Sequence, residues 1–299
     1  MPPPVLDFHT HAQNVYGTCC VPPLWRPFLR NGLARFHETT GFDARVVRAE
    51  SKVTLAWVVR EMHSRFAALT FDGYLAAMPK NGVTHACALP VEPMSRTSEL
   101  LALVRGHPEV LPFASVDFTS GEDVVRQLDR HLSAGCRGLK LHPIMQDVDL
   151  DDPRVAALFA RIDGDVPILV HTGRMHYWAD GRPERPDLAD PERLVPLLRR
   201  FPKQPVVLGH MGLTRRAAAA IRVAAEHANA YLEVSFQPAD VLKDALRQVG
   251  PGRLLLGSDW PASEARSERR QIQKVVGKDK AAERRILWEN GAALLRLRV

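Results

Sequence analysis

The stretches PILVHTG at residues 167–173 and PVVLGHMG at residues 205–212 decide the fold class of this chain. Each is a short, continuous apolar run that closes on a histidine, and a helix-like stretch lies between them at residues 191–201. Two strands separated by a helix form a parallel β-α-β unit, because parallel strands need a long crossover connection. Strands that are apolar on both faces indicate a sheet covered by helices.

The same pattern recurs along the chain. Eight apolar runs of this kind occur at residues 5–8, 83–89, 111–116, 138–141, 167–170, 205–208, 231–234 and 254–256. Helix-like stretches accompany them at residues 71–80, 98–106, 122–134, 153–162, 191–201, 214–228, 239–249, 264–276 and 280–297. This alternation predicts an α/β fold of the (β/α)8 TIM-barrel type. An open, doubly wound sheet is the alternative, but no Gly-rich phosphate loop follows any run.

The spacing of the runs locates one large insertion. Successive strand ends lie 24 to 39 residues apart, except that the first and second are 80 residues apart. Residues 12–70 are therefore predicted to be inserted in the first βα loop, which lies on the C-terminal face of a barrel and would form a lid there. The other residues match the usual barrel size of about 250, so we expect a single domain over residues 1–299.

Composition and charge restrict the functional class. The chain has 299 residues, 45% apolar and 25% charged, and a mean hydropathy of −0.17, which is typical of globular proteins. A net charge of +6 and a pI near 9.3 suggest a nucleic acid or a membrane surface as partner. However, ten basic and four acidic residues lie between residues 266 and 298, so the whole excess falls on the last two predicted helices. We therefore expect neither a nucleic acid nor a membrane as partner.

Cysteine usage and the first residues bear on the compartment. The four cysteines form no CxxC pair, which in a chain this long argues against a disulfide framework. The first ten residues contain neither a charged segment nor a long apolar run, so we expect no signal peptide. Both features predict a cytoplasmic protein.

Polar side chains with metal-binding chemistry end four of the predicted strands. The first strand ends on His9 and His11, which share one face of a strand, the fifth ends on His171, the sixth on His210 and the eighth on Asp259. All four strand ends meet on one face of a barrel. Imidazoles with one carboxylate and no thiolate suit Zn²⁺ best, with Mn²⁺ or Fe²⁺ as alternatives. We predict one divalent ion on His9, His11, His171 and Asp259, and His210 as either a second-metal ligand or a free base or acid.

Short motifs in a fixed order resemble those of a known family. They are DFHTH at 7–11, GLKLHP at 138–143, VHTG at 170–173, LGHMG at 208–212, GSDWP at 257–261 and ILWENGAALL at 286–295. Together they resemble the amidohydrolase superfamily, in particular its amidohydrolase-related (amidohydrolase 2) branch. That branch includes aminocarboxymuconate-semialdehyde decarboxylase-like proteins, related non-oxidative decarboxylases and some lactonases. The resemblance covers nearly the whole chain, is specific for fold and site, and says little about the substrate.

The resemblance implies roles for the same residues. It assigns His9, His11, His171 and Asp259 as metal ligands and His210 as the catalytic histidine that activates a water, with Asp259 sharing the proton handling. Because family members are often dimers, a homodimer is one assembly that the resemblance allows.

Strand four is ambiguous, because Lys140 and His142 face inward there. An unpaired lysine inside a barrel must meet an anion or lose its charge. Lys140 is therefore an anchor for a substrate carboxylate, a counter-ion for an acid such as Glu233, or, as in binuclear members of the superfamily, a carboxylated lysine that bridges two metals. His142 is interpreted as a substrate contact or as a group behind the ligands.

The loop after strand five completes the predicted substrate site. Arg174 and His176 stand among aromatic residues directly after a ligand, as in a pocket for a planar or carboxylated substrate. An ordinary exposed loop is the alternative for this segment.

Two reaction classes fit these residues. The first is a metal-dependent hydrolase, in which a hydroxide on the ion attacks the carbonyl of a lactone, amide or ester of a small carboxylated substrate. The second is a non-oxidative decarboxylase (a carbon-carbon lyase) of an unsaturated or aromatic carboxylic acid. A barrel that only binds a ligand would not need the complete set of ligands. A metal-dependent nuclease of the TatD type resembles a pattern with a glutamate at the end of strand four, where this chain has Lys140 and His142.

Overall fold

A computed structural model of the chain describes residues 3–17, 62–174 and 183–297. Eight parallel strands lie in these residues: β1 (Leu6–Thr10), β2 (His85–Ala88), β3 (Val110–Pro112), β4 (Leu139–Leu141), β5 (Ile168–His171), β6 (Val206–Gly209), β7 (Ala230–Glu233) and β8 (Leu254–Leu255). Each coincides with one predicted apolar run to within a few residues. The periodicity of the sequence therefore identifies all eight strands.

The strands close into a barrel. The first three pair in the order β1-β2-β3 and the other five in the order β4-β5-β6-β7-β8, with every pair parallel. Two isolated bridges join these groups, from Ala114 after β3 to Leu139 in β4, and from Thr10 in β1 to Trp260 after β8. The predicted TIM-barrel fold is confirmed.

Helices follow the strands on the outside of the barrel. The α-helices of the described residues from residue 71 onward are α1 (Phe71–Lys80), α2 (Thr97–Leu103), α3 (Val124–Ser133), α4 (Pro153–Ile162), α5 (Val195–Arg200), α6 (Leu213–Glu226), α7 (Ala239–Gln248), α8 (Ala265–Val276), α9 (Lys280–Arg284) and α10 (Asn290–Leu294). Residues 62–68 are also helical. The bounds of α1 and α4 are those that the sequence predicts.

Two predicted helices are interrupted. The stretch 191–201 contains a 3₁₀ turn, Pro191–Leu194, before the short α5, because Pro196, the second residue of α5, lacks the N–H that a continuous helix needs. The stretch 280–297 is split by a π-helical turn, Arg285–Glu289, between α9 and α10. This turn buries Trp288, and beyond it Gly291 lies against β1.

Side chains along β4 point alternately to the surrounding helices and to the barrel interior. Leu139 and Leu141 belong to the same buried cluster as Val155 and Leu158 of α4, so they face the helices. Lys140 lies between them in the strand and therefore faces the barrel interior, where it is buried. The same parity brings the histidines and acids of the other strand ends to the interior.

The predicted lid over residues 12–70 lies largely outside the described residues. Only residues 12–17 and 62–70 of it are described, and Tyr16, Met62 and Phe66 pack with Val91 and Met145 at the C-terminal face of the barrel. In the part of the chain that the structure describes, no helix is both long and apolar enough to cross a lipid bilayer.

Candidate active site

The first strand presents two buried histidines whose Nδ1 atoms are both engaged. His9 Nδ1 donates to the Glu233 Oε2 atom at 2.7 Å, and His11 Nδ1 donates to the Leu89 carbonyl at 2.6 Å. A neutral imidazole with its proton on Nδ1 keeps a lone pair on Nε2. Both Nε2 atoms are therefore in the form that a metal ion requires, with the partner on Nδ1 that ligating histidines almost always have.

Asp259 lies beside these two Nε2 atoms. Its Oδ1 atom is 3.0 Å from His11 Nε2 and 3.4 Å from His9 Nε2. Because His11 holds its proton on Nδ1, the lone pair of Nε2 faces a carboxylate oxygen, and two acceptors at this distance repel each other unless a cation lies between them. The residues that would hold a divalent ion here, His9, His11 and Asp259, therefore fit one by the chemistry of their donor atoms.

The backbone fixes Asp259 in this position. Asp259 has a positive φ of 56°, and its N–H donates to the His9 carbonyl at 2.7 Å. Just before it, Ser258 donates through N–H and Oγ to the buried Asp7 carboxyl group at 2.9 Å and 2.6 Å. Burial raises the pKa of Asp7 to about 7, against the lowering effect of these hydrogen bonds. Asp7 thus ties β1 to β8 directly beneath the histidines.

His210 lies immediately after β6 and is linked to β7. Its Nδ1 atom is 2.7 Å from Ser235 Oγ, and its backbone N–H donates to the Glu233 Oε2 atom at 2.9 Å. Its ring is 4.6 Å from the ring of His9 and 4.8 Å from that of His171. The structure therefore places His210 within the same cluster as the predicted ligands.

His142 and His171 form a stacked pair on the other side of the cluster. Their ring centroids are 4.1 Å apart and their planes differ by 6°. His171 Nε2 donates to the Gly173 carbonyl at 3.2 Å, so this nitrogen carries the ring proton. In the described residues, His171 belongs to neither group of donor atoms that lie within 4.8 Å of one another. Its role as a ligand stays a prediction.

Lys140 projects into the centre of these side chains. It is 1% exposed, and its Nζ atom is 3.2 Å from His9 Nε2. Burial lowers the pKa of Lys140 to about 8, while Asp259 and Glu233 act in the opposite direction. All three interpretations that the sequence leaves open, an anchor for a substrate carboxylate, a counter-ion for an acid such as Glu233 and a carboxylated bridge between two metals, stay predictions.

The buried histidines are held neutral. Burial, followed by repulsion from charged neighbours such as Lys140 and other histidines, lowers the pKa values of His9, His142, His171 and His210 well below the usual value. A cluster of neutral imidazoles at physiological pH is the state that metal binding requires, because a protonated ring has no lone pair to offer.

Glu233 is the residue of this site that the sequence did not single out. From the sequence, its position in the strand predicts only that its side chain faces the barrel interior, and it is named there only as a counter-ion for Lys140. In the structure, its carboxylate contacts His9 directly, and burial raises its pKa to about 8 while hydrogen bonds from His210 and Ser235 oppose the rise. A divalent ion on His9 would favour the ionised form further.

An apolar roof covers the histidines. We define it as the buried cluster that βα loops, residues 15 and 16 and residues 62 and 66 supply at the mouth of the barrel: Val15, Tyr16, Met62, Phe66, Val91, Ile144, Met145, Ala189, Leu213, Phe236 and Ala262. The ring of Phe66 is 5.4 Å from that of His11, and the ring of Phe236 is 5.5 Å from that of His210. The site is thus a polar, histidine-lined floor beneath an aromatic and aliphatic cover.

Arg174 is not brought into this cluster. The Arg174 guanidinium is half exposed and pairs with Asp190, with its Nε atom 2.8 Å from Oδ1. His176 lies outside the described residues. Their predicted contacts with a substrate stay predictions, and the guanidinium of Arg174 is already engaged.

With this geometry established, the family can be assigned. A family model described as amidohydrolase matches residues 6–297. The chain belongs to the amidohydrolase family. The predicted resemblance is confirmed, and the protein is an enzyme of a metal-dependent superfamily. No curated protein matches the chain.

Solved structures agree with this fold. One is a dihydroxybenzoic acid decarboxylase from Polaromonas sp. JS666 with bound manganese and the inhibitor 2-nitroresorcinol; it is 17% identical, the match covers 99% of this chain and 98% of that chain, and the TM-score is 0.67. Another is 5-carboxyvanillate decarboxylase from Sphingomonas paucimobilis, with 16% identity, coverage of 98% of this chain and 99% of that chain, and a TM-score of 0.63. A third is an amidohydrolase from Burkholderia multivorans with bound zinc, with 15% identity, coverage of 99% of this chain and 100% of that chain, and a TM-score of 0.62. At these identities the similarity concerns the fold alone.

Proposed function

We propose that this amidohydrolase family member is a metal-dependent, non-oxidative decarboxylase of an aromatic or unsaturated carboxylic acid. The observation that carries the proposal is the apolar roof, whose rings of Phe66 and Phe236 lie over His11 and His210 at 5.4 Å and 5.5 Å. These rings offer a flat, apolar contact surface to the body of such an acid, and the polar floor beside them offers groups to its carboxylate. The decarboxylases among the similar structures support the same reading.

The low polarity of the roof favours loss of carbon dioxide. In the reaction, the bond between the substrate carbon and its carboxylate breaks, carbon dioxide leaves, and the electron pair left on the carbon takes up a proton. Carbon dioxide is neutral and apolar, so the apolar surroundings of the roof accept it as it leaves the charged floor of the site.

A divalent ion, Zn²⁺ or Mn²⁺ as in two of the similar structures, would be held by His9, His11 and Asp259, with His171 as the fourth predicted ligand. When bound, that ion supplies positive charge that orients the acid and stabilises the charge that builds up during reaction. Lys140 would hold the carboxylate from the neighbouring side. Asp259 and His210, which line the same floor, are the groups proposed to carry the proton to the substrate carbon.

Hydrolysis is the second candidate, and one contact favours it. His210 donates from Nδ1 to Ser235, which leaves its Nε2 atom as a base of the kind that activates water for attack on a lactone, amide or ester. The same residues would serve that reaction, with Lys140 again holding a carboxylate of the substrate.

The two reactions are separated by their products. Purified protein loaded with Zn²⁺ or Mn²⁺ is incubated in D₂O with hydroxybenzoates, unsaturated acids, lactones and amides, and products are followed by NMR and by release of carbon dioxide. We expect carbon dioxide and a deuterium at the carbon that lost it, from at least one acid. Opening of a lactone or amide with no carbon dioxide from any acid would replace the decarboxylase by the hydrolase.

A further inference from the structure

We propose, on the basis of the metal-dependent site described above, that Glu233 is a positioning residue that fixes the proton positions of two histidines at once. It acts on His9 directly and on His210 through Ser235. Both histidines would thereby keep Nδ1 protonated and Nε2 available, one for the ion and the other for a proton. The proposal holds for either reaction, because it concerns the floor of the site and not the substrate.

The contact with His9 is the first arm of this arrangement. His9 Nδ1 is 2.7 Å from Glu233 Oε2, and both side chains are fully buried. In its ionised form, which a divalent ion on His9 would favour, the Glu233 carboxylate only accepts hydrogen bonds, so the proton of His9 lies on Nδ1. The Nε2 atom then carries a lone pair, which accepts a hydrogen bond from Lys140 Nζ at 3.2 Å, lies 3.4 Å from Asp259 Oδ1 and would be the ligand atom when an ion is bound.

The second arm passes through Ser235. Its hydroxyl group donates to Glu233 Oε2 at 3.0 Å, and its oxygen is 2.7 Å from His210 Nδ1. A hydroxyl group has one proton, and since Ser235 gives that proton to Glu233, its oxygen can only accept from His210. His210 therefore also carries its proton on Nδ1.

The surrounding backbone holds the Glu233 carboxylate in place. The backbone N–H groups of His210 and Ser235 donate to it at 2.9 Å and 2.5 Å, one to each oxygen. On its other side lies Gly257, where a Cβ atom would overlap the carboxylate. Its two oxygens thus receive four hydrogen bonds in a space of fixed size.

A Glu233→Gln substitution tests the direct arm. The amide cannot reproduce all four contacts: its NH₂ group must face either the Nδ1–H of His9 or the N–H of Ser235, and both are donors. We expect His9 to lose its fixed proton position and the affinity for Zn²⁺ to fall about 10- to 100-fold, the usual effect of removing the partner of a ligating histidine. Zn²⁺ binding is measured by titration of the metal-free protein, so no substrate is needed.

Glu268→Gln is the matched control. Glu268 is also a fully buried glutamate near the same end of the barrel, but its contacts are with Ser263 Oγ at 2.9 Å and with the Phe236 N–H at 3.4 Å. An amide oxygen can accept both hydrogen bonds. We expect its affinity for Zn²⁺ to equal that of the unmodified protein. Equal affinities for Glu233→Gln and Glu268→Gln would overturn the direct arm.

Ser235 tests the second arm and does not depend on the first. In Zn²⁺-loaded protein labelled with ¹⁵N-histidine, we expect the ring signals of His9 and His210 to report protonated Nδ1, with the His210 signal identified by its absence in His210→Asn. Ser235→Ala should disturb only the His210 signal and keep Zn²⁺ bound, and Ser235→Thr should restore it. A His210 signal that is unchanged in Ser235→Ala, or that reports protonated Nε2 in the unmodified protein, would contradict the proposal even if no substrate is found.

Discussion

His210 is held from three directions: Ser235 contacts its Nδ1 atom, Glu233 accepts from its backbone N–H, and Gln237 donates to its carbonyl at 2.6 Å. None of these contacts passes through Asp259 or His11. We therefore expect His210→Asn to keep the bound ion and to lower kcat by about 10²- to 10⁴-fold, the range that a proton-transferring group contributes.

The measurement for His210→Asn is metal content by elemental analysis together with kcat on the substrate found in the screen. Ser95→Ala is a suitable control, because Ser95 is buried and its hydroxyl group accepts a hydrogen bond within its own loop, from the Val91 N–H. Metal-free protein obtained from His210→Asn alone would make His210 a ligand of the ion, which is the other role that the sequence leaves open.

Residue types at strand ends could be predicted, but their partners could not. Side chains alternate between the two faces of a strand, so the inward direction of Lys140 and His142 can be predicted from their positions in the sequence. The link between Glu233 and His9 spans 224 residues and depends on the register of the closed barrel. The pairing of Arg174 with Asp190, 16 residues further along the chain, is another contact that the sequence does not specify.

At the scale of elements, α10 closes the barrel at its first strand. Gly291 in α10 packs so closely that a Cβ atom would overlap Leu6 and come very near Phe8, both buried in β1. We expect Gly291→Ala to lower the free energy of unfolding by about 1–3 kcal/mol, because the overlap outweighs the better helix propensity of alanine.

Thermal unfolding checks this expectation against Gly252→Ala. An added Cβ at Gly252 meets no atom within 4 Å, so that variant should unfold at the temperature of the unmodified protein or slightly above it. Equal melting temperatures for the two variants would mean that β1 and α10 can separate at little cost.

The carboxyl group of Glu268 connects α8 to the loop after β7 and makes stability depend on pH. Burial raises the pKa of Glu268 to about 8, above its ordinary value of 4.5. The folded protein therefore binds this proton more tightly than the unfolded chain does, and the stabilising contribution, complete below pH 4.5, is lost as pH rises towards 8.

Glu268→Gln removes this dependence, because an amide does not titrate. We expect the melting temperature of the variant, relative to that of the unmodified protein, to increase between pH 5 and pH 8. Differential scanning fluorimetry at pH 5, 6.5 and 8 gives the comparison. A difference that stays constant over this range would mean that Glu268 has the same charge state in the folded protein as in the unfolded chain.

Element boundaries were predictable where local chemistry sets them. Asp152 accepts a hydrogen bond from Arg154 at the start of α4, just before Pro153, so both cap and proline mark that boundary in the sequence. The π-helical turn Arg285–Glu289 has no such signal. It follows from the packing of Trp288 and Gly291 on the closed barrel, which the apolar period alone does not specify.

For the molecule as a whole, the number of divalent ions bound per chain depends on the chemical form of Lys140. His9, His11 and Asp259 form one group of donors, and Lys140 lies 3.2 Å from His9 Nε2. An unmodified lysine ammonium at that distance opposes a second cation there, whereas a carboxylated lysine would bridge two. We therefore expect close to one divalent ion per chain with unmodified Lys140, and two only if Lys140 is carboxylated.

Chelation measures the contribution of that ion to the whole fold. Removing it should lower the melting temperature and abolish activity, and adding Zn²⁺ or Mn²⁺ should restore both, since an ion at about 100 times its Kd stabilises the folded state by about 2.7 kcal/mol. Because His11 Nε2 and Asp259 Oδ1 are two acceptors 3.0 Å apart, the floor of the site is under repulsion without a cation, and the effect should be lost in Asp259→Asn. A melting temperature that chelation leaves unchanged in the unmodified protein would mean that these residues do not hold an ion.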